Sequence, residues 1–231
     1  MIKIAKKSIG RILLQMRLIR VAVFVGCYNL YLKNLSLLSG QKNFLLQLPM
    51  YEKSIHSQHE QDGILEKLFE HLPSQNNPPA CVEFGFSSTD QTSISNTANL
   101  VLNKGWRALL LDGDFENKEI NLHKEFITSE NICDLFRKYN IPEKPDYVSI
   151  DIDSADLWVL ESILGSYKLS VLTIEYNSQF PIDACITFPN NPDEFSEYDT
   201  VYGCSIGCIN LVAQEHGYQI VYVGATDVYL V

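Results

Sequence analysis

Apolar residues recur along this chain with two periods, and their alternation predicts an order of elements. In "SQHEQDGILEKLFEHLP" (residues 57–73), Ile64, Leu65, Leu68 and Phe69 fall at helical spacing and predict a helix over about 60–71. Pro73 and "SQNNPP" end it in a loop. "ACVEFG" is a short apolar run closed by an acid and a glycine, the pattern of a buried strand. "SNTANLVLNKGW" predicts a helix stopped at Gly105, and "RALLLDGD" a second buried strand. "KEFIT" predicts a third, short strand, and "SENICDLFRKYNIP" a helix closed by Pro142. "DYVSIDID", "ADLWVLESILG" and "SVLTIEYN" predict strand, helix and strand. A polar loop over 178–202 leads to a helix in "CSIGCINLVAQEHG", and "YQIVYVGATDVYLV" closes the chain as two β-rich runs around Gly224.

Strands alternating with helices, each strand nearly continuous in apolar residues, predict a parallel sheet covered on both faces. The last connection is too short for a parallel crossover, so the chain should end in a hairpin with one antiparallel strand. The expected fold is α/β, Rossmann-like, mostly parallel, with a closing antiparallel C-terminal hairpin strand. No internal repeat or low-complexity tract interrupts it, and the sequence does not indicate an oligomeric state.

Composition refines this outline. The chain has 231 residues, 46% hydrophobic and 11% aromatic, enough for one sizeable folded domain and too few for two. The net charge of −10 hides an asymmetry: eight of the eighteen Lys and Arg residues precede the first acid, Glu52. Residues 52–231 carry ten basic against twenty-eight acidic residues, near −18. Such a body repels phosphates, which argues against nucleic acid as a partner.

Two regions follow: a basic extension over residues 1–50 and a folded domain over 51–231. The longest uncharged apolar run of the extension, residues 21–32, is shorter than the roughly 20 residues that span a bilayer. Peripheral contact with an anionic membrane, a signal-like anchor or targeting segment, and a helix packed on the domain all fit its pattern. Six cysteines (27, 81, 133, 185, 204 and 208) show no CxxC and no metal-ligand spacing. Cys204 and Cys208 would share one face of the last helix. The expectation is free, half-buried thiols in a reducing compartment, hence a cytoplasmic protein with membrane association left open.

The candidate chemistry lies at the strand ends. In an open parallel sheet, ligands bind beyond the carboxyl ends of the strands, where strand order reverses. Four predicted strands end there in polar groups: Glu83 with Gly85, Asp112 with Asp114, Asp151 with Asp153, and Glu175 with Asn177. Gly85 would let backbone approach a ligand without an intruding Cβ. Asp112 would accept from two ribose hydroxyls, and Asp114 either joins it or caps a helix after it. Asp151 and Asp153 would share a strand face, and Glu175 on the neighbouring strand would complete three carboxylates suited to magnesium. The alternative makes Asp153 or Asp156 the N-cap of the helix near Ala155. Trp106 and Trp158 read as core, and Tyr176 either touches an acceptor or packs.

Taken in order, "CVEFG", "SNT", "GWRALLLDGD", "ENICDLF", "IPEKPDYVSIDID", "IEYN" and "GCSIGCINLVAQEHGYQIVYV" resemble the FkbM-type branch of class I S-adenosylmethionine-dependent methyltransferases. The resemblance runs from about residue 57 to 231. It implies a class I methyltransferase sheet, with S-adenosylmethionine as cofactor. It implies that Glu83, Gly85, Asn96, Asp112 and Asp114 bind that cofactor, with Asp151 and Asp153 as catalytic residues. It further implies a sugar or other small-molecule hydroxyl as acceptor, and magnesium held by Asp151, Asp153 and Glu175. The general base is not identified; His56 and His59 stand in the leading segment. Two departures matter. The loop "GFSSTDQTSISNT" lacks the second glycine usual in the branch, and Ser154 replaces the glycine of its IDIDG motif, where strain is expected if φ is positive. They leave a degenerate, ligand-binding relative as the alternative to an active O-methyltransferase, and a membrane-surface protein acting through its basic arm as a third reading.

Overall fold

A computed structural model describes residues 42–90, 92, 94–190 and 203–231. The expectations for residues 1–41 and for the acidic stretch 191–202 lie outside the described residues. Seven strands form one sheet: β1 (Ala80–Phe84), β2 (Arg107–Asp112), β3 (Leu122–Lys124), β4 (Tyr147–Ile150), β5 (Val171–Glu175), β6 (Ile220–Val223) and β7 (Asp227–Leu230), in the order β3-β2-β1-β4-β5-β7-β6. Strands β1 to β5 are parallel, and β7 runs antiparallel between β5 and β6. This is the Rossmann-like sheet expected from the apolar pattern, with the reversed strand inserted beside β5.

Alternation along the strands sorts the side chains into two layers. Val82 and Phe84 of β1, Val148 and Ile150 of β4, and Leu172 and Ile174 of β5 point to one face. Helices α4 (Ile132–Lys138), α5 (Asp156–Ser166) and α6 (Ile206–Glu215) cover it with Phe136, Leu160, Ile163 and Ile209. Cys81, Tyr147, Val171 and Tyr229 point to the other face, under Leu45 of α1 (Lys42–Gln47), Ile64, Leu65 and Leu68 of α2 (Gln61–His71) and Leu100 of α3 (Ala98–Lys104). Each of these fully buried aliphatic side chains contributes about 1.5–3 kcal/mol of transfer free energy. Helix α3 stops at Gly105, which takes φ 72 and returns its N–H to the Leu100 carbonyl, as expected.

Three expectations are corrected. The third strand is Leu122–Lys124, not "KEFIT": burial of Leu122 with Phe86 and Leu110 sets its register, whereas Phe126 is 48% exposed and off the sheet. Trp106 is half-buried but packs against the core beside Phe69, whereas Trp158 is half-buried at the rim and its indole donates to the Phe188 carbonyl at 2.8 Å. Cys185 and Cys208 form a disulfide, leaving Cys81, Cys133 and Cys204 as the free thiols among the described residues. The reason lies at the start of α6. Ser205 is its N-cap, so Cys204 precedes the helix in a bridge to Thr187 and does not share a helical face with Cys208. A Cβ on Gly207 would stand 2.7 Å from the Ala184 carbonyl, and only its absence lets residues 182–186 approach. With this pairing, the case for a reducing compartment from unpaired cysteines no longer holds. Among the described residues, no helix is long and apolar enough to cross a membrane.

Candidate functional site

The helix after β1 covers one face of the sheet and the helix after β4 covers the other, so the strand order reverses between β1 and β4. A crevice must open there, beyond the strands' carboxyl ends. It is a cleft of about 530 Å³, lined by Gly85, Ser87, Asp112, Asp114, Phe126, and Asp151 to Ser154, within the size range of small-molecule sites.

Gly85 is required by the protein itself. Its φ is 68, and a Cβ would lie 1.9 Å from the Asp151 carbonyl oxygen, so β1 and β4 come this close only through glycine. Two residues on, Ser87 takes φ 50, the left-handed turn that glycine would otherwise supply. Its N–H donates to Asp112 Oδ2 at 2.8 Å. Asp112 Oδ1 accepts from the N–H groups of Asp114 (2.7 Å) and Phe115 (3.0 Å). Asp112 thus ties the loops after β1 and β2 together. Three of its roughly four acceptor sites are filled, leaving room for one ligand hydroxyl rather than two. Asp114 caps no helix. Asn117 caps the short 3-10 turn after β2, while the Asp114 side chain stays exposed, 3.8 Å from the Lys124 ammonium.

Glu83 and Asn96, expected to touch a cofactor, are turned beneath the loop. Glu83 points to the α3 side of the sheet, where it accepts from the Ser95 hydroxyl (2.5 Å), the Thr97 hydroxyl and the N–H groups of Asn96 (2.8 Å) and Thr97 (3.1 Å). Burial raises its pKa, and these donors oppose the rise. The Asn96 amide donates to Ser149 Oγ at 3.0 Å, and Thr173 Oγ1 meets the same oxygen at 3.1 Å. These groups hold the loop after β1 to β4 and β5.

Strand β4 ends at Ile150, so Asp151 and Asp153 do not share a strand face; a turn brings them together. Asp156, at the first position of α5, accepts from the N–H groups of Ile152 (2.8 Å) and Ser154 (2.9 Å). Folding back on this carboxylate drives Asp153, not Ser154, to a positive φ of 59, a conformation aspartate tolerates better than most residues. The strain expected at Ser154 is therefore absent. The α5 N-cap is Ala155, with no side-chain cap, so neither Asp153 nor Asp156 fills that position.

One carboxylate oxygen each from Asp151, Asp153 and Glu175 lie within 4.8 Å of one another. Burial, then the Glu175 charge, pushes Asp151 up to about 9. Burial, then Asp153, raises Glu175 to about 8, opposed by its hydrogen bond to Asp151. The pair therefore retains a proton at neutral pH unless a cation replaces it. Three hard oxygen donors with Asp153 exposed toward the cleft fit magnesium, which keeps coordination positions for water or a ligand oxygen. Burial raises Asp156 to about 6 as well.

Two rims border the site. On the α2 side, Asp62 Oδ2 gathers the N–H groups of Ile55 (2.6 Å), His56 (2.7 Å) and Ser57 (2.8 Å), and this nest fixes the leading segment. That segment is anchored to the loop after β1 by Ser95 N–H donating to the His56 carbonyl (3.1 Å), and to the β6–β7 turn by Ala225 N–H donating to Glu60 (2.8 Å). The Gln61 amide donates to Asp227 Oδ2 at 2.7 Å, and Asp227 stands opposite Glu175 in the β5–β7 register. On the α6 side, residues 178–190 run from the end of β5 past Trp158 to Ser129, whose hydroxyl donates to Asn190 at 3.0 Å. Tyr176 packs: it is 7% exposed and its hydroxyl donates to the Gly224 carbonyl.

The sequence reading missed Asp227 and Asp62, and offered Asp156 as a helix cap rather than as the acceptor that folds the turn after β4. Asp227 carried a signal, because in "DVYL" it occupies the same inward phase as Tyr229. No family model matches this chain, and no curated protein matches it.

Proposed function

We propose that the chain is an S-adenosylmethionine-dependent O-methyltransferase acting on a hydroxyl of a sugar or other small molecule. The observation that carries this reading is the convergence of Asp151, Asp153 and Glu175 beside a cleft that Gly85 and Asp112 line at the sheet's switch point. Bound S-adenosylmethionine would supply an electrophilic methyl group on its sulfonium. Asp112 has one acceptor site left for a ribose hydroxyl, and the Phe126 ring offers a flat apolar surface. The three carboxylates would hold magnesium, whose Lewis acidity lowers the pKa of a coordinated hydroxyl. Without a cation, Asp151 and Glu175 can accept a hydroxyl proton only after losing their own. The acidic wall disfavours anionic acceptors, in keeping with a neutral polyol and against nucleic acid.

The test is formation of S-adenosylhomocysteine from S-adenosylmethionine and a panel of neutral glycosides, with and without magnesium. Turnover that falls at least a hundredfold in Asp151→Asn supports the reading; no turnover with any glycoside counts against it. The alternative, a degenerate domain that binds a nucleoside without transferring methyl, is favoured by one observation. Ser87 stands where a glycine would leave more room, and its N–H occupies Asp112. It predicts S-adenosylhomocysteine affinity with no product.

A further inference from the structure

The rim on the α6 side is held by an unusual concentration of bonds. Ser205, fully buried, accepts from the Ile186 N–H (3.0 Å) and donates from its hydroxyl to the Ala184 carbonyl (2.7 Å). The Phe188 N–H donates to the Gly203 carbonyl (3.1 Å), and the Ser205 N–H to the Ile186 carbonyl (2.8 Å). All of these groups lie within a few residues of the Cys185–Cys208 disulfide. The bridge is asymmetric: Cys208 is 1% exposed, in the core beneath α6, whereas Cys185 is exposed. The rim also touches the site's frame at three points: Asn177 N–H on the Cys204 carbonyl (2.9 Å) two residues after Glu175, Phe188 on Trp158, and Asn190 on Ser129.

We propose that the Cys185–Cys208 disulfide is a reducible clamp on this rim, so that residues 182–188 stand in place beside the site only in the oxidised chain. The sheet and the acid triad do not depend on it. Their hydrogen bonds lie in β1, β4, β5 and β7, and among the described residues this bridge is the one side-chain covalent tie of 182–188 to the body. A dithiol of the thioredoxin or dithiothreitol class is the reductant. One of its thiolates attacks the exposed Cys185 sulfur, and the S–S electron pair leaves on Cys208. The second dithiol sulfur then displaces Cys185, so one dithiol becomes a disulfide and two protons end on Cys185 and Cys208. The hydrogen bonds that Ser205 Oγ keeps with Ile186 and Ala184 are only part-buried, a set that opens locally without global unfolding. The proposal does not rest on which group the cleft transfers.

The test is hydrogen exchange on the full chain, oxidised and after dithiothreitol, with the thiols counted by alkylation and mass. Oxidised protein should protect Cys185 and Cys208 from alkylation. Reduction should speed exchange of the Ile186 and Phe188 amides at least tenfold and leave those of β1, β4 and β5 unchanged. Cys185→Ser, an exposed position that spares the core, should match reduced wild type under oxidising conditions. Alkylation of both cysteines in the oxidised protein overturns the proposal, as does a rim equally protected in the reduced chain or in Cys185→Ser.

Discussion

Replacing Asp151 with Asn should stabilise the protein while removing the feature that suits a cation. Asp151 titrates near 9 in the folded chain, because burial and the Glu175, Asp156 and Asp153 charges oppose its ionisation. An unfolded aspartate titrates near 4. A carboxyl with a raised folded pKa contributes stability that is complete below about pH 4 and is lost progressively as pH rises toward 9. Between pH 4 and 7 that is roughly three decades at about 1.4 kcal/mol each, or about 4 kcal/mol. Asp151 is only half-buried, and solvent screening reduces the expected penalty to about 2 kcal/mol. Asn keeps the shape and can donate to Glu175 without the charge. Urea unfolding at pH 4, 7 and 9 measures the difference. Asp151→Asn should gain about 2 kcal/mol at pH 7, more at pH 9 and nothing at pH 4. Adding 10 mM magnesium should stabilise wild type by about 1.4 kcal/mol, if binding is roughly millimolar, and leave the variant unmoved. A wild type whose stability is flat from pH 4 to 9, or a variant no more stable than wild type at pH 7, refutes the reasoning.

Two further substitutions test the frame around the site. Asp146, fully buried, accepts from Ser74 Oγ, Gln75 N–H, Asn76 Nδ2 and Ala80 N–H at 2.7–2.9 Å, so Asp146→Ala should lose about 3–5 kcal/mol in urea unfolding. Asp146→Asn, which can accept on one oxygen only, should fall between. Gly85→Ala should lose at least about 3 kcal/mol or fail to fold, because its Cβ would meet the Asp151 carbonyl at 1.9 Å and its φ is 68; a thermal midpoint within a degree or two of wild type would rule out this packing.

The sheet was legible because its strands are apolar on both faces and its helices show helical spacing, so period alone separates them. Gly105 marked a helix end because only glycine takes that turn without strain. The third strand was misplaced because "KEFIT" has a strand's composition, while its pairing is decided by one buried leucine packed on residues distant in sequence. The four aspartates of residues 146–156 have three separate tasks. Asp146 fastens the loop before β1 at the far end of β4, Asp156 folds the turn, and only Asp151 and Asp153 face Glu175. Period-two alternation gave the right neighbours for the wrong reason, since the strand stops before either residue. The disulfide was hidden because it depends on residues 182–186 doubling back onto α6, which no local pattern encodes. Asp62 stands in the first turn of α2, a common place for an acid, and only the folded loop reveals the three N–H groups it collects.

The most direct measurement is a crystal structure of the chain soaked with S-adenosylhomocysteine and manganese, whose anomalous signal reports a cation in magnesium's place. The ribose should lie against Asp112 in the cleft beside Gly85, with an anomalous peak among Asp151, Asp153 and Glu175. Density for the nucleoside elsewhere, or a cleft that stays empty with no metal peak at the three carboxylates, would contradict a cofactor site at this edge of the sheet.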